Sequence, residues 1–251
     1  MSRLIVVGAT GALGSEVLRL ALAAGHQVTA LVRTPSKIPP DAPVSVQRGD
    51  LSSLSPADLA RIIGGHDALI NCAGHVAEGQ AFVELIDRLV TGLESLPSAA
   101  QPVCWFLAGV ALLDIDRSGR RGIDLPRVGS TYWPHNVNFE RLGRSCLDWR
   151  LLCPGPMVRQ PAIGMNRLRI SLDTWPLRVP AIARAIPGPL FLPVFAYMIP
   201  HVIVPYADAA ALMLANLDRG GAMAHHRVGL ALPAGMRGKK ARWVARPRNA
   251  A

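Results

Sequence analysis

The sequence predicts an α/β fold, a doubly wound and mostly parallel sheet covered by helices on both faces, with a small capping region late in the chain. Three observations predict it. Short apolar runs alternate with helix-forming stretches through residues 4–107, an alternation that implies right-handed crossover units. A glycine-rich turn, GATGALG, separates the first apolar run from the first helical stretch. Half of the 251 residues are hydrophobic and only 18% are charged, so one large core can be buried and disorder is excluded.

Residues 4–7 (LIVV) suit a buried parallel strand. Residues 15–24, rich in Leu and Ala, read as a helix stopped by Gly25. A second strand covers 27–32, and Pro35, Pro39, Pro40 and Pro43 make 34–43 a turn region before a third strand at 44–48. Ser55 as N-cap and Pro56 at the first helical position open a helix that Gly64 and Gly65 close. A fourth strand is expected at 67–72, a longer helix at 80–96 and a fifth strand at 102–107. Residues 109–131 read as irregular, followed by a helix at about 135–145, a strand at 149–153 and the turn Pro154-Gly155-Pro156. A helix at 208–217 and a strand at 227–232 complete the pattern. The expected organisation is a core over 1–156, a proline-rich apolar capping segment over 157–206, the core's last helix and strand over 207–232, and a mobile basic tail over 233–251.

The glycine turn is the most informative motif. Gly8, Ala9, Thr10, Gly11, Ala12, Leu13 and Gly14 lie where strand gives way to helix. There the main chain can approach a pyrophosphate, and the helix N-terminus offers it unpaired N–H groups. The fold is therefore read as Rossmann-type, with a dinucleotide over the turn. The end of the second strand sets the cofactor's flavour, because a ribose 2′-hydroxyl calls for an acid and a 2′-phosphate for arginine. The chain offers Arg33 and then Lys37, with no acid before Asp41. NADP(H) is favoured over NAD(H). Asp50, followed by Leu51, could accept from the adenine amine or cap the turn after the third strand. Cys72, Ala73 and Gly74 close the fourth strand with small residues at the ligand edge.

In that order, GATGALG, LVRTPSK, GDL, NCAG and HNVNFERLGRSCLDWRLLCPGPM resemble the atypical short-chain dehydrogenase/reductase superfamily. The similarity runs over residues 3–157 and is to its NmrA-like and biliverdin reductase B (flavin reductase)-like members. The resemblance implies NADP(H) held by the glycine turn, Arg33, Asp50, the Cys72 to Gly74 region, Ala108 and the Pro154-Gly155 turn, with substrate over the nicotinamide. Many members carry Y-x-x-x-K, in which lysine assists the tyrosine. Here Tyr132 is followed four residues on by Asn136, and Ala108-Gly109 stands where a serine is usual. Tyr132 without a cation is a poor acid–base group. His135, at a place where the biliverdin reductase B-like branch also has histidine, is the second proton-transfer candidate, and His75 a lesser one. Glu140 and Arg144 are expected to pair on the helix surface, with Phe139 and Leu142 buried.

Residues 185–207 carry no Asp, Glu, Lys or Arg, but Pro187, Pro189, Pro193, Pro200 and Pro205 argue against a membrane-spanning helix. A cap lined by Trp175, Phe191, Phe195, Tyr197 and Met198 is expected, with a membrane-surface contact as the alternative. The net charge of +10 gathers toward the C-terminus, where Arg237, Lys239, Lys240, Arg242, Arg246 and Arg248 face no acid. Such a tail is a solvated end or a patch for anionic lipid; no aromatic platform points to nucleic acid. Cys72, Cys104, Cys146 and Cys153 lack paired spacing and read as reduced thiols. With no leader pattern in 1–7, they place the chain in the cytoplasm. No metal-ligand spacing or G-x-S-x-G elbow occurs. The expected function is NADP(H)-dependent reduction of an apolar or planar small molecule by a monomer or homodimer. A non-catalytic NADP(H) sensor and a membrane-surface scaffold are the alternatives.

Overall fold

The structure is a computed structural model that describes residues 1–116, 118–179 and 186–239. Its centre is an eight-stranded sheet. In chain order the strands are β1 (Arg3–Val7), β2 (Gln27–Val32), β3 (Ser45–Arg48), β4 (Ala68–Asn71), β5 (Val103–Leu107), β6 (Trp149–Cys153), β8 (Arg169–Leu172) and β10 (Arg227–Ala231). Two short strands, β7 (Met157–Val158) and β9 (Val204–Pro205), pair separately. Across the main sheet the order is β3-β2-β1-β4-β5-β6-β10-β8. The direction of winding reverses between β1 and β4, the switch point at which open α/β sheets place ligands. Every pairing is parallel except β10 with β8.

The helices are α1 (Ala12–Ala23), α2 (Pro56–Ile63), α3 (Gln80–Glu94), α4 (Val128–Gly143), α5 (Gly188–Met198) and α6 (Tyr206–Leu214). Because both faces of the sheet are covered, β1, β4, β5 and β6 are apolar along almost their whole length rather than alternating. One core joins Ile5, Leu69, Phe106 and Leu151 to α2, α3 and α4; the other joins Leu4, Ile70, Trp105 and Val228 to α1 and α6. The anticipated cap forms: Ser55 Oγ accepts from the Asp58 amide at 3.1 Å, with Pro56 opening α2.

Two expectations change. The helix expected at about 135–145 begins at Val128, seven residues earlier, and holds Pro134 in its interior. Proline there removes one backbone donor, and Ser130 and Thr131 donate their hydroxyls back to Arg127 O in the preceding turn. Prolines do not exclude α5, where Pro193 is interior, but at 11 residues it is too short to cross a membrane. The segment 157–206 also supplies β8, the antiparallel edge of the main sheet. Trp175, Phe191, Phe195 and Met198, expected to line a pocket, are buried among the core side chains, and Tyr197 faces outward. Of the basic tail, residues 240–251 lie outside the described residues.

The 3-10 turn that follows β5 is locked to the far side of the sheet by Arg227. From β10 its guanidinium donates to Leu112 O at 2.8 Å and to both carboxylate oxygens of Asp114 at 3.0 and 3.1 Å. Its Nε donates to Asp173 at 3.3 Å, and Phe139 lies under the guanidinium at 5.0 Å. Truncating one partner of such a group leaves the others uncompensated. Arg227→Met should lower unfolding free energy by about 3 kcal/mol in urea titrations; an unchanged midpoint would show that this network does not hold the loop.

Candidate cofactor-binding site

The β1–α1 turn runs against the end of β4. Gly8 has φ +76°, and a Cβ on it would lie 2.9 Å from the amide nitrogen of Ala73. A Cβ on Gly14 would lie 2.2 Å from Gly8 O. No side chain can stand at either place without moving backbone. The turn is closed by Gly8 N donating to Leu31 O and Gly11 N donating to Gly8 O at 2.9 Å. Gly11 is the N-cap of α1 and supplies no side chain to its amides, nor does the first turn contain an acid. Thr10 and Gly11 are exposed, whereas Ala9 and Leu13 are buried beneath them. The result is an open helix N-terminus whose N–H groups have no side-chain competitor for an anion. This cradle fits a dinucleotide pyrophosphate.

Arg33 follows β2 directly and is exposed, as is Lys37 at the end of the 3-10 turn Pro35–Lys37. Neither makes an ion pair among the described residues. Asp50 accepts from the amide and the hydroxyl of Ser52, at 3.0 and 2.8 Å, and so caps the turn after β3. Those two bonds, with a smaller contribution from Arg33, hold its carboxyl below the usual range. Leu51 is buried. At the end of β4 the buried Asn71 accepts from Ala73 N at 3.1 Å, shaping the strip of Cys72, Ala73 and Gly74. Cys72 is a free thiol that burial pushes up to about 12, which makes it inert. Ala108 N donates to Leu152 O, and Val110 N donates to Pro154 O, tying the β5 loop to the Pro154-Gly155 turn. Gly155 passes so close to Val202 that a Cβ would lie 2.4 Å from its carbonyl oxygen.

The proton-transfer candidates lie on α4. His135 is buried inside the helix rather than in its first turn, as the sequence suggested. Its Nε2 faces Gly109, where a Cβ would lie 3.4 Å away, and its Nδ1 has no hydrogen-bond partner. Phe82 meets the imidazole edge-on at 5.8 Å, and Tyr132 stacks along it at 6.0 Å and 15°. Burial, assisted by nearby His75, lowers His135 from 6.5 to about 4. It is therefore neutral at neutral pH and offers a hydrogen bond, not a full proton. His75 is committed elsewhere, its Nδ1 accepting from Ala77 N at 3.1 Å. Tyr132 is exposed. Asn136, four residues after Tyr132, accepts from Arg121 at 2.8 Å and donates to Glu140 at 2.7 Å. Glu140 and Arg144 form the expected exposed pair at 3.4 Å, Leu142 is fully buried, and Phe139 is half-buried.

Sequence reasoning missed Phe82 and Arg121 as neighbours of this cluster, because only the fold brings α3 and residue 121 to α4. An open cavity of about 270 Å³ lies beside it, lined by Arg121, Trp133 and Asn136 among others. A larger polar cavity of about 430 Å³, bordered by Arg3, Asp67 and Val103, lies at the opposite, N-terminal edge of the strands, away from the glycine turn. The described residues contain no cluster able to hold a metal ion and no helix long and apolar enough to cross a membrane.

Residues 8–185 match the family model described as NAD(P)H-binding. The chain belongs to the NAD(P)H-binding family. The uncharacterized protein YwnB of Bacillus subtilis is 32% identical over 163 residues, covering 59% of this chain and 70% of YwnB. A Streptococcus pneumoniae protein, SP1627, named as a candidate NADH-flavin reductase, superposes with a TM-score of 0.67 at 20% identity. That match covers 92% of this chain and all (100%) of SP1627. The Lactococcus lactis oxidoreductase ylbE gives 0.65 at 16% identity, covering 95% and 92% of the two chains. The solved structures share the Rossmann-like fold with this NAD(P)H-binding protein.

Two outcomes test the site. Gly8→Ala should weaken nicotinamide dinucleotide binding by about tenfold or more, measured by calorimetry, since left-handed backbone and a backbone clash both oppose the side chain. Unchanged affinity would separate the turn from the ligand. His135, with its folded value depressed, contributes stability that is complete above 6.5 and is lost as pH falls toward 4. Across that window wild type should lose about 3 kcal/mol more than His135→Phe in urea titrations.

Proposed function

We propose that this protein is an NADP(H)-dependent reductase of the atypical short-chain dehydrogenase/reductase type, acting on an apolar or planar small molecule. The observation that carries the cofactor choice is Arg33. It stands exposed and, among the described residues, without a carboxylate partner just after β2, the strand next to the glycine turn. A guanidinium there matches a 2′-phosphate in geometry and charge, with Lys37 adding a second cation.

When bound, the nicotinamide supplies the hydride. The chain's own residues position the acceptor. Gly109 leaves one side of the β5 loop bare, and the neutral imidazole of His135 faces it. His135 can hold an acceptor oxygen or nitrogen by a hydrogen bond without delivering an imidazolium proton. Tyr132 lacks a lysine to activate it. This arrangement suits acceptors whose reduced form takes its proton from solvent, such as flavins and quinones, better than simple ketones. In this reading the protein works in the cytoplasm as a monomer or homodimer, with no specific nucleic-acid partner. A second reading, a cofactor-responsive regulator of the NmrA-like kind, is favoured by Asn136, whose ties to Arg121 and Glu140 occupy the place of the activating lysine.

Purified protein with NADPH and a panel of flavins and quinones should show sustained loss of reduced-nicotinamide absorbance. Binding without turnover on any acceptor would favour the regulator. Arg33→Ser should reduce the preference for NADPH over NADH by about tenfold or more; an unaltered preference would remove Arg33 from the site.

A further inference from the structure

Helix α5 has an outward face without a partner among the described residues. It carries no charged residue, yet Leu190 is 68% and Tyr197 67% exposed, and Pro193 and Ala196 between them are exposed as well. Its opposite face is the well-packed one, with Phe191 and Phe195 in the core. Large apolar side chains turned to water on one helix face mark a contact surface.

The start of the basic tail is fastened to the end of this helix. His201 Nδ1 donates to Met236 O at 3.0 Å, Gly238 N donates to Pro200 O at 2.7 Å, and Arg237 Nε donates to His201 Nε2 at 3.2 Å. The Arg237 guanidinium then lies over the Tyr197 ring at 4.7 Å. The cationic run that begins with Arg237 and Lys239, and continues in sequence through Lys240, Arg242, Trp243, Arg246 and Arg248, therefore starts at the edge of the exposed apolar face. The sequence has no Asp or Glu over 174–207 or after Asp218.

We propose that this face docks on an anionic lipid bilayer, with α5 lying in the interface and Arg237 and Lys239 on the headgroups. Charge complementarity selects this occupant. A bilayer supplies apolar depth for Leu190 and Tyr197 and negative charge for the cations beside them, and weak signals of these two kinds together give stable attachment. A second copy would bring two cationic runs against each other. A nucleic acid would answer the charge but leave the apolar face in water. The docking does not depend on any cofactor, so it stands or falls apart from the reductase reading.

Co-sedimentation of the full chain with vesicles, without nucleotide, tests it. The protein should bind vesicles of phosphatidylcholine with phosphatidylglycerol and stay in solution with phosphatidylcholine alone. Leu190→Asp and Tyr197→Asp should each weaken binding roughly tenfold while leaving the circular dichroism unchanged, because both side chains face water. Arg237→Gln combined with Lys239→Gln should weaken it roughly thirtyfold. Equal partition onto both vesicles, or none onto either, would overturn the proposal. So would a concentration-dependent dimer abolished by Leu190→Asp, or tighter binding to duplex DNA that ignores Leu190→Asp.

Discussion

The molecule is organised around one close approach, that of the β1–α1 turn to the end of β4. With Gly8 left-handed and the Ala73 amide within reach of any Cβ placed on it, the turn has no room for a side chain. Gly14 extends the same constraint into the first turn of α1, which begins immediately against its own incoming strand. From this contact follow the direction of α1, its packing beside α6, and an N-terminus left open over the sheet's switch point. An exposed cation just after the neighbouring strand adds positive charge to a surface suited to a nicotinamide dinucleotide.

The second half of the site depends on how the loop after β5 is held. Arg227 reaches from β10 under that loop, so the C-terminal strand fixes a region near Ala108 and Gly109 that is more than a hundred residues earlier in sequence. On that support His135 sits against Gly109, enclosed by Phe82 and Tyr132 and stripped of water. Its neutrality follows from this enclosure, and it separates the chemistry available here from that of a lysine-assisted tyrosine.

Much of this was legible in the sequence, for identifiable reasons. The first five strands and the capped α2 announce themselves by local signals: β-branched runs, Ser-Pro at a helix start, paired glycines at its end. The glycine turn was legible because its requirement is steric and local. The true start of α4 was not, because Pro134 reads as a helix boundary and only tertiary packing carries the helix past it. Trp175, Phe191 and Phe195 look alike in sequence whether they line a pocket or fill a core, and the structure puts them in the core. Asp50 suits two roles by sequence, and the Ser52 bonds show it capping a turn. Asp208 gave no signal at all, yet it is buried and receives the amides of Ile163 and Gly164 at 2.8 and 2.9 Å, anchoring the segment before β8.

In the proposed complex, backbone amides at the start of α1 receive the pyrophosphate of a nicotinamide dinucleotide. Backbone amide chemical shifts of isotope-labelled protein, followed as NADPH is added, test it most directly. The largest changes are expected at Gly11, Ala12 and Leu13, with a second group beside Arg33. Shifts confined to the polar cavity at Arg3 and Asp67, or none at millimolar NADPH, would contradict it.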